Sequence, residues 1–465
     1  MKRRLLLLLA LLILSSGFVA VGVQPASASS SRCVDPGGTK TLQGTLQGAN
    51  YTIAVPANWN GTLLLYSHGY VSPTSPILNP APDAGDALTG NTLLQQGYAL
   101  AGSSYSSNGW ALQQAFHDQV ALLDYFNSIC GHPTRTIPWG HSLGGIITAG
   151  LVQLYPERFT AAMPMCGVLS GGVATWNQAL DSSFAFQTLL ANNVPIVHIT
   201  DPGTSLQQAE NILAAAQKTP EGKARIALAA ALADIPGWFD AASPEPARTD
   251  FATQEQNQFL WESQVDFFFA FIARAELEAR AGGNPSWNIG VNYSRQLKLS
   301  TNRHEVEALY KQAGLSLDGD LATLNHARRI QADPQAVVYL NKYITFNGDL
   351  NVPTLGVHTT GDGLVVNQNE QAYADVVHDN GDSRMLRQIF VHRAGHCTFT
   401  PAETLAAFQA LFSRVTRGFW DGATSPERLN RTAAALGPTF NQAPPSYINF
   451  QPTLFLRPFS AHHRA

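Results

Sequence analysis

The residues Trp139-Gly140-His141-Ser142-Leu143-Gly144-Gly145 indicate the fold of this chain. They follow a short apolar run, Thr136 to Pro138, and precede a segment, Ile146 to Tyr155, whose composition is typical of a helix. The pattern Gly-x-Ser-x-Gly forms where a strand turns sharply into a helix and presents a serine hydroxyl at its tip. The stretch therefore predicts an α/β fold with Ser142 as a candidate nucleophile. An ordinary glycine-rich turn is the alternative.

A second short motif ends an almost wholly apolar run, Thr62 to Tyr66, which is typical of a strand buried on both faces of a sheet. The motif is Ser67-His68-Gly69-Tyr70. We predict that the backbone N–H groups of Tyr70 and Leu143 form an oxyanion hole for the anion that arises when the serine attacks. The helix after Ser142 would direct the positive end of its dipole at the same anion. A simple turn glycine would explain the His-Gly pair equally well.

A polar and aromatic loop, residues 103–110, follows the strand-like residues 98–102. In open parallel sheets, ligands bind at the carboxyl ends of the strands. We therefore take Tyr105 and Trp110, together with His68, as candidate substrate-binding residues. The alternative is that the two aromatic side chains only anchor a solvated loop.

The N-terminus has the three parts of a secretory signal peptide. Lys2, Arg3 and Arg4 precede an apolar run of ten residues, and Ala26-Ser27-Ala28 matches a cleavage site. We predict removal of residues 1–28 by cleavage near Ala28, and secretion of the mature chain to the extracellular space or the periplasm. An uncleaved anchor is the alternative, although the apolar run is short for a membrane span.

The charge content excludes some classes of partner. Cleavage after Ala28 would leave 437 residues with 26 basic and 33 acidic side chains, a net charge of −7, without long runs of one sign. This balance argues against nucleic acid as a partner. Beyond the N-terminal run, no stretch is long and apolar enough to cross a bilayer, so we expect no stable membrane insertion of the mature chain.

Strand-like and helix-like segments alternate on both sides of Ser142, but mostly helical residues interrupt them. The interrupting segment contains a long predicted helix, Gln254 to Ala281. Its aromatic stripe consists of Leu260, Trp261, Val265, Phe268 and Ile272, with Phe267 and Phe271 beside it. The stripe either packs this segment against the core or walls an apolar pocket, as lids do. We divide the chain into a signal peptide (1–28), a first core part (29–169), a helical cap insertion (170–347), a second core part (348–420) and an extended C-terminal tail (421–465).

The acid of a catalytic triad has two candidates. Asp362 lies in a glycine-flanked turn after the strand-like residues 352–358. Asp201 follows residues 194–200, which also resemble a strand. We favour Asp362 because a helix, a strand and a histidine follow it in the expected succession.

The candidate base is His396, which follows the last predicted strand, residues 387–392. A histidine can take the proton of a serine because its pKa lies near neutral pH, and a carboxylate holds its tautomer. His358 and His392 fall within predicted strands, from which a side chain could not reach Ser142.

The order Ser142, Asp362, His396 and the sequence Gly-His-Ser-Leu-Gly-Gly resemble the α/β-hydrolase superfamily, especially its lipases and esterases. The resemblance covers residues 40–170 and 350–418. It implies an α/β-hydrolase fold, with a mostly parallel central sheet, helices on both faces and a large helical cap insertion. It also implies an acyl-enzyme on the serine and no cofactor.

The chain contains four cysteines, Cys33, Cys130, Cys166 and Cys397. An even number in an exported protein predicts two disulfides, for which three pairings are possible, and free buried thiols are the alternative. No Cys-x-x-Cys spacing occurs, so we expect no metal site of the common zinc type.

His396-Cys397 also resembles the His-Cys pair of the tannase and feruloyl esterase family. In that family, a cysteine directly before the serine is bonded to the cysteine after the histidine. Here His141 precedes Ser142, so the feature is only half present. The resemblance therefore favours Cys166 as the substitute partner of Cys397, which leaves Cys33 to pair with Cys130.

Together, these features predict a secreted serine hydrolase that cleaves small-molecule or polymeric carboxylic esters without a cofactor. The alternatives are a peptidase or amidase, a lactone or polyester hydrolase, or a non-catalytic binding protein on the same fold. No acidic or basic cluster in the sequence marks a site for the free amine or carboxylate of a peptide.

Overall fold

The structure is a computed structural model that describes residues 33–457 of the 465-residue chain. The predicted signal peptide, residues 1–28, lies outside the described residues. The described part contains one nine-stranded sheet, whose strands are β1 (Lys40–Leu46), β2 (Ala49–Val55), β3 (Thr62–Ser67), β4 (Ala99–Ser103), β5 (Arg135–His141), β6 (Met163–Met165), β7 (Thr354–Gly361), β8 (Leu386–Ala394) and β9 (Tyr447–Ile448).

The strand order is β1-β2-β4-β3-β5-β6-β7-β8-β9. Pairing is parallel from β4 through β8 and antiparallel at β1–β2, β2–β4 and β8–β9. Every residue of β3 is buried, because helices cover both faces of the centre of the sheet. The mostly parallel sheet predicted from the sequence is confirmed.

Fifteen α-helices lie in residues 33–457: α1 (Ala87–Gln95), α2 (Leu112–Cys130), α3 (Leu143–Leu154), α4 (Gly171–Leu189), α5 (Pro202–Ala216), α6 (Pro220–Leu232), α7 (Phe251–Trp261), α8 (Arg274–Ala281), α9 (Tyr293–Leu299), α10 (Arg303–Ala313), α11 (Leu317–His326), α12 (Pro334–Lys342), α13 (Gln368–Asp379), α14 (Pro401–Arg417) and α15 (Pro426–Ala434). None of these helices has the length and apolar character that a membrane span requires.

The two faces of the sheet bury separate cores. Leu63 and Leu65 belong to the cluster that includes α2 and α3, whereas Leu64 and Tyr66 belong to the cluster that includes α14. Successive side chains of a strand point to opposite faces, so the continuous apolar run of β3 supplies both cores. The prediction that helices cover both faces of the sheet is therefore confirmed.

Helices α4 to α12 all lie between β6 and β7 in the chain. They build a further core of their own, separate from the two sheet-face cores, which includes Phe184, Leu228 and Tyr310. The predicted long helix is continuous, but two π-helical turns, Glu262–Asp266 and Phe269–Ala273, join α7 to α8. Such turns insert extra residues and occur often at functional sites.

Two expectations about secondary structure are wrong. The C-terminal segment is not simply extended, because it contains α15 and strand β9, which pairs with β8. The Tyr447 hydroxyl of β9 donates to the Glu403 carbonyl and anchors this segment on α14. Residues 194–200 form no strand, and Asp201 is instead the N-cap of α5, where it accepts a hydrogen bond from Thr204 N–H.

Candidate active site

Ser142 occupies the turn between β5 and α3 with backbone angles φ 59° and ψ −121°. A left-handed φ is strained for a residue with a side chain, and such strain occurs mostly at functional positions. A Cβ atom on Gly144 would lie 1.9 Å from the Ser67 carbonyl oxygen, and one on Gly140 would lie 2.3 Å from it. Both glycines of the motif are therefore needed for β3 and α3 to pack beside the serine.

The partly exposed His396 and the buried Asp362 form a pair at the ends of β8 and β7. His396 Nδ1 lies 2.7 Å from Asp362 Oδ2, and the carboxylate also accepts hydrogen bonds from the N–H groups of Leu364 and Val365 at 3.1 and 2.9 Å. Because a carboxylate only accepts, Nδ1 donates and Nε2 stays available as a base. Burial alone would raise the pKa of Asp362, but His396 and His358 together hold it below its ordinary value.

The other edge of the His396 ring faces a disulfide. Nε2 lies 3.4 Å from Cys397 Sγ, and no hydrogen bond joins it to the Ser142 hydroxyl in the part of the chain that the structure describes. Cys397 is bonded to Cys166, which follows the strand beside the Ser142 turn. Catalytic contacts in unliganded enzymes often tighten only when substrate is bound.

Both disulfides favoured from the sequence are present. Besides Cys166–Cys397, a bond joins Cys33 to Cys130, the last residue of α2. The first bond lies beside His396, whereas the second ties the start of the described chain to a helix of the core.

A second histidine lies behind Asp362, a contact that the sequence did not reveal. The buried His358 donates from Nε2 to the Val365 carbonyl at 2.8 Å and from Nδ1 to Glu370 at 3.2 Å, and its Nε2 lies 3.5 Å from Asp362 Oδ2. Burial alone would lower the pKa of His358, but the hydrogen bonds to Asp362 and Glu370 outweigh it and raise the pKa to about 10. His358 is therefore a positive charge that holds Asp362 in its ionised form.

The two predicted oxyanion donors lie next to Ser142. Leu143 is the first residue of α3, so its N–H has no partner within the helix. Gly69 packs so closely that a Cβ atom there would lie 3.4 Å from the Ser142 Cβ, and Tyr70 follows directly.

His68 orients the peptide that carries the Tyr70 N–H. Its Nδ1 donates to the Gly69 carbonyl oxygen at 2.7 Å. The C=O and N–H groups of a trans peptide point in opposite directions, so this bond directs the Tyr70 N–H away from the His68 ring.

An apolar cavity of about 90 Å³ opens beside Ser142. Tyr70, Leu143 and Trp110 contribute to its wall, as do Phe267, which lies beside the aromatic stripe, and Phe269 of the same long helix. The long helix therefore walls a pocket as well as packing against its neighbours.

His68 and Tyr105, which the sequence suggested as substrate-binding residues, lie behind this wall and not on it. Both are buried, their rings stack at a centroid distance of 4.0 Å, and the Tyr105 hydroxyl donates to the His68 carbonyl. The expectation that Tyr105 borders the pocket is wrong, because its hydroxyl is used to position the residue before Gly69.

The side-chain nitrogen and sulfur atoms of Cys166, His396 and Cys397 lie within 4.8 Å of one another, which is close enough for shared metal ligation. The thiolate is the form of cysteine that binds metals, and both sulfurs are used in the disulfide. We therefore assign no metal to this group.

No family model matches the sequence. The chain is 29% identical over 419 residues to o-phthalyl amidase of Xanthobacter agilis, a match that covers 83% of this chain and 89% of the amidase. Among solved structures, it is similar to feruloyl esterase B of Aspergillus oryzae (TM-score 0.41, 13% identity, 82% of each chain) and to 2-hydroxy-6-oxo-6-phenylhexa-2,4-dienoate hydrolase of Rhodococcus sp. strain RHA1 (TM-score 0.36, 13% identity, 82% of this chain and 99% of that one). The mostly parallel sheet, the strained serine turn and the helical insertion between β6 and β7 give this chain an α/β-hydrolase fold.

Proposed function

We propose that the protein is a serine hydrolase that cleaves carboxylic esters, with Ser142 as nucleophile, His396 as base and Asp362 as the acid that orients the base. One observation carries this proposal: the strained serine follows β5, the His396–Asp362 pair stands at the ends of β8 and β7 on the same edge of the sheet, and the serine borders an apolar cavity. A serine hydroxyl is a weak nucleophile until a positioned base removes its proton.

The reaction would proceed through an acyl-enzyme. Ser142 Oγ attacks the carbonyl carbon of the substrate while His396 Nε2 accepts its proton, and His396 then returns the proton to the leaving alcohol. A water molecule then attacks the acyl-enzyme while His396 Nε2 accepts its proton. The bond from the acyl carbon to Ser142 Oγ breaks, His396 returns the proton to Ser142 Oγ, and the acid is released. His358 supports the cycle by keeping Asp362 ionised while His396 carries its positive charge.

The negative charge on the carbonyl oxygen would be stabilised by the N–H groups of Tyr70 and Leu143. Preorganised donors of this kind stabilise the transition state because they need no reorientation during the reaction. His68 acts here as a positioning residue, since its hydrogen bond fixes the Gly69–Tyr70 peptide.

Amide hydrolysis is the second candidate, because the curated relative at 29% identity is named an amidase. The same triad and oxyanion hole serve both reactions, and the difference lies in protonation of the leaving amine by His396. We also propose that the enzyme acts after export. The two disulfides in residues 33–457 are compatible with an oxidising compartment.

The proposal is tested with p-nitrophenyl esters of increasing acyl length beside a panel of p-nitroanilides. Wild-type protein should hydrolyse the short esters, and Ser142→Ala should lose at least about 10³-fold in kcat. Ser128→Ala serves as the matched control, because Ser128 is an exposed serine on α2 outside the cavity wall.

Ester turnover that survives in folded Ser142→Ala protein would refute the assignment of the nucleophile. Anilide turnover without ester turnover would favour the amidase. Folded wild-type protein that turns over neither panel would argue against a general esterase and for a binding role.

A further inference from the structure

Two acidic side chains, Glu262 and Asp266, line the apolar cavity beside Ser142. They begin and end the first π-helical turn after α7, four residues apart, so both face the same side of the helix. Ser142 and this pair are 120 and 124 residues apart in the sequence, and only the packing of the helical insertion against the sheet brings them to one cavity.

Neither carboxyl group is fully satisfied. Glu262 is 1% exposed, and its Oε1 accepts a hydrogen bond from the Ser182 hydroxyl at 3.3 Å, but its Oε2 has no partner among the described residues. Asp266 Oδ2 is likewise enclosed and has no partner in this part of the chain. Buried polar atoms without partners are costly, and in a ligand cavity they indicate what the ligand supplies.

No positive side chain pairs with the two carboxyl groups on the cavity wall, because its described residues include no lysine, arginine or histidine. Burial raises the pKa of Glu262 to about 8, and burial together with the nearby Glu262 and Asp362 carboxylates raises the pKa of Asp266 well above its ordinary value. Because an opposite charge nearby favours the ionised form of a carboxyl group, a bound ammonium group would lower both pKa values, and it would meet no competing cation on the described cavity wall.

Aromatic side chains strengthen the preference for a cation. Trp110, Trp176, Phe267 and Phe269 contribute to the same wall, and the faces of aromatic rings attract ammonium groups. The small volume, about 90 Å³, restricts the occupant to a compact group.

We propose that Glu262 and Asp266 form a subsite for a protonated amine, so that the preferred substrate is a compact ester or amide whose buried part carries an ammonium group. This inference rests on the proposed function of the same cavity. Ser142 lines the same cavity as the two carboxyl groups, so the ammonium group would lie on the same side of the scissile bond as this subsite.

The test measures binding and does not depend on catalysis. Ser142→Ala protein is titrated by calorimetry with n-butylamine, 1-butanol and butyrate, three probes of one chain length that differ in charge. We expect the amine to bind at least about tenfold more tightly than the alcohol and the carboxylate to bind weakest, because a charge-assisted hydrogen bond is stronger than a neutral one. The amine preference should disappear in Ser142→Ala protein that also carries Glu262→Gln or Asp266→Asn.

The matched control is Glu305→Gln, which changes a buried carboxyl that is hydrogen-bonded to Gln258 and does not line this cavity. This variant should keep the amine preference. Equal binding of amine and alcohol, tightest binding of butyrate, or an amine preference that survives in both Glu262→Gln and Asp266→Asn would overturn the proposal.

Turnover assays separate this inference from the proposed function. If Ser142→Ala abolishes ester hydrolysis but butylamine is not preferred, only the subsite is wrong. If butylamine binds but Ser142→Ala leaves turnover intact, the triad is wrong and the cation site stands.

Discussion

Cys397 Sγ lies 3.4 Å from His396 Nε2, while Asp362 contacts the opposite ring nitrogen at 2.7 Å. The imidazole is thus held between a carboxylate and a disulfide. The bond to Cys166 fixes the loop after β8 to the end of β6, the strand next to the Ser142 turn.

Loss of this disulfide should affect catalysis more than loss of the other one. We expect the double variant C166A/C397A to lose at least about tenfold in kcat, because a misplaced base slows proton transfer. The matched control is C33A/C130A, which should lose about 2–5 kcal/mol in the free energy of unfolding and keep the kcat of the folded protein. Equal kcat values for the two double variants, measured well below their melting temperatures, would contradict this prediction.

The identity of the catalytic acid is tested by two aspartate variants. Asp362→Asn should reduce kcat by about 10³- to 10⁴-fold, because the amide favours the wrong tautomer of His396. Asp201→Asn should change neither kcat nor stability appreciably, since Asp201 is an N-cap of α5 and asparagine caps helices equally well. Loss of activity in Asp201→Asn with activity kept in Asp362→Asn would reverse the assignment.

His68 should influence the transition state more than substrate binding. His68→Ala removes the hydrogen bond that orients the Gly69–Tyr70 peptide, so we expect kcat to fall by about 10- to 100-fold with little change in KM. His117→Ala, at an exposed histidine of α2, is the control. A rise in KM with unchanged kcat would instead assign His68 to substrate binding.

The stability of the protein should fall as pH rises, partly through Glu262. An acid whose pKa is raised on folding, here from 4.5 to about 8, stabilises the fold only while it is protonated. The contribution of Glu262 to the free energy of unfolding is complete below pH 4.5, the pKa of this group in the unfolded chain, and is lost as pH rises through about 8. Its upper limit is about 1.4 kcal/mol for each unit by which the pKa is raised. The melting temperature of Glu262→Gln protein should therefore change less with pH than that of the wild type between about pH 5 and pH 9.

The control for this measurement is Glu221→Gln, at an exposed glutamate in the first turn of α6. It should leave the pH dependence of the melting temperature as it is in the wild type. An unchanged pH dependence in Glu262→Gln would show that this carboxyl is ionised at neutral pH in the folded protein.

Local sequence determined the serine turn and much of the sheet. Gly140 and Gly144 leave room for the Ser67 carbonyl, so the motif alone indicated the turn and the strand and helix on either side of it. The continuous apolar residues of β3 indicated a strand covered on both faces. The His396–Asp362 contact was also predicted, because the order of turns after β7 and β8 follows from local patterns.

Local sequence patterns did not predict the contacts between segments that are distant in the chain. His358 resembled an ordinary strand residue, and its pairing with Glu370 depends on how α13 returns to the sheet. The C-terminal segment was predicted to be extended because its prolines masked the helical pattern of α15. Strand β9 forms through its pairing with the edge of β8, which no local pattern indicates.

The sequence by itself determined the turn at Ser142, the order of the candidate triad and the presence of a helical insertion, because each depends on neighbouring residues and their steric limits. Only the tertiary structure decided which side chains meet in the cavity. Glu262 and Asp266 lie on the long helix, in which the sequence analysis noted only the aromatic stripe. They share a cavity with Ser142 because segments more than a hundred residues apart pack together. Such packing minimises exposed apolar surface over the whole chain, so no local pattern specifies it.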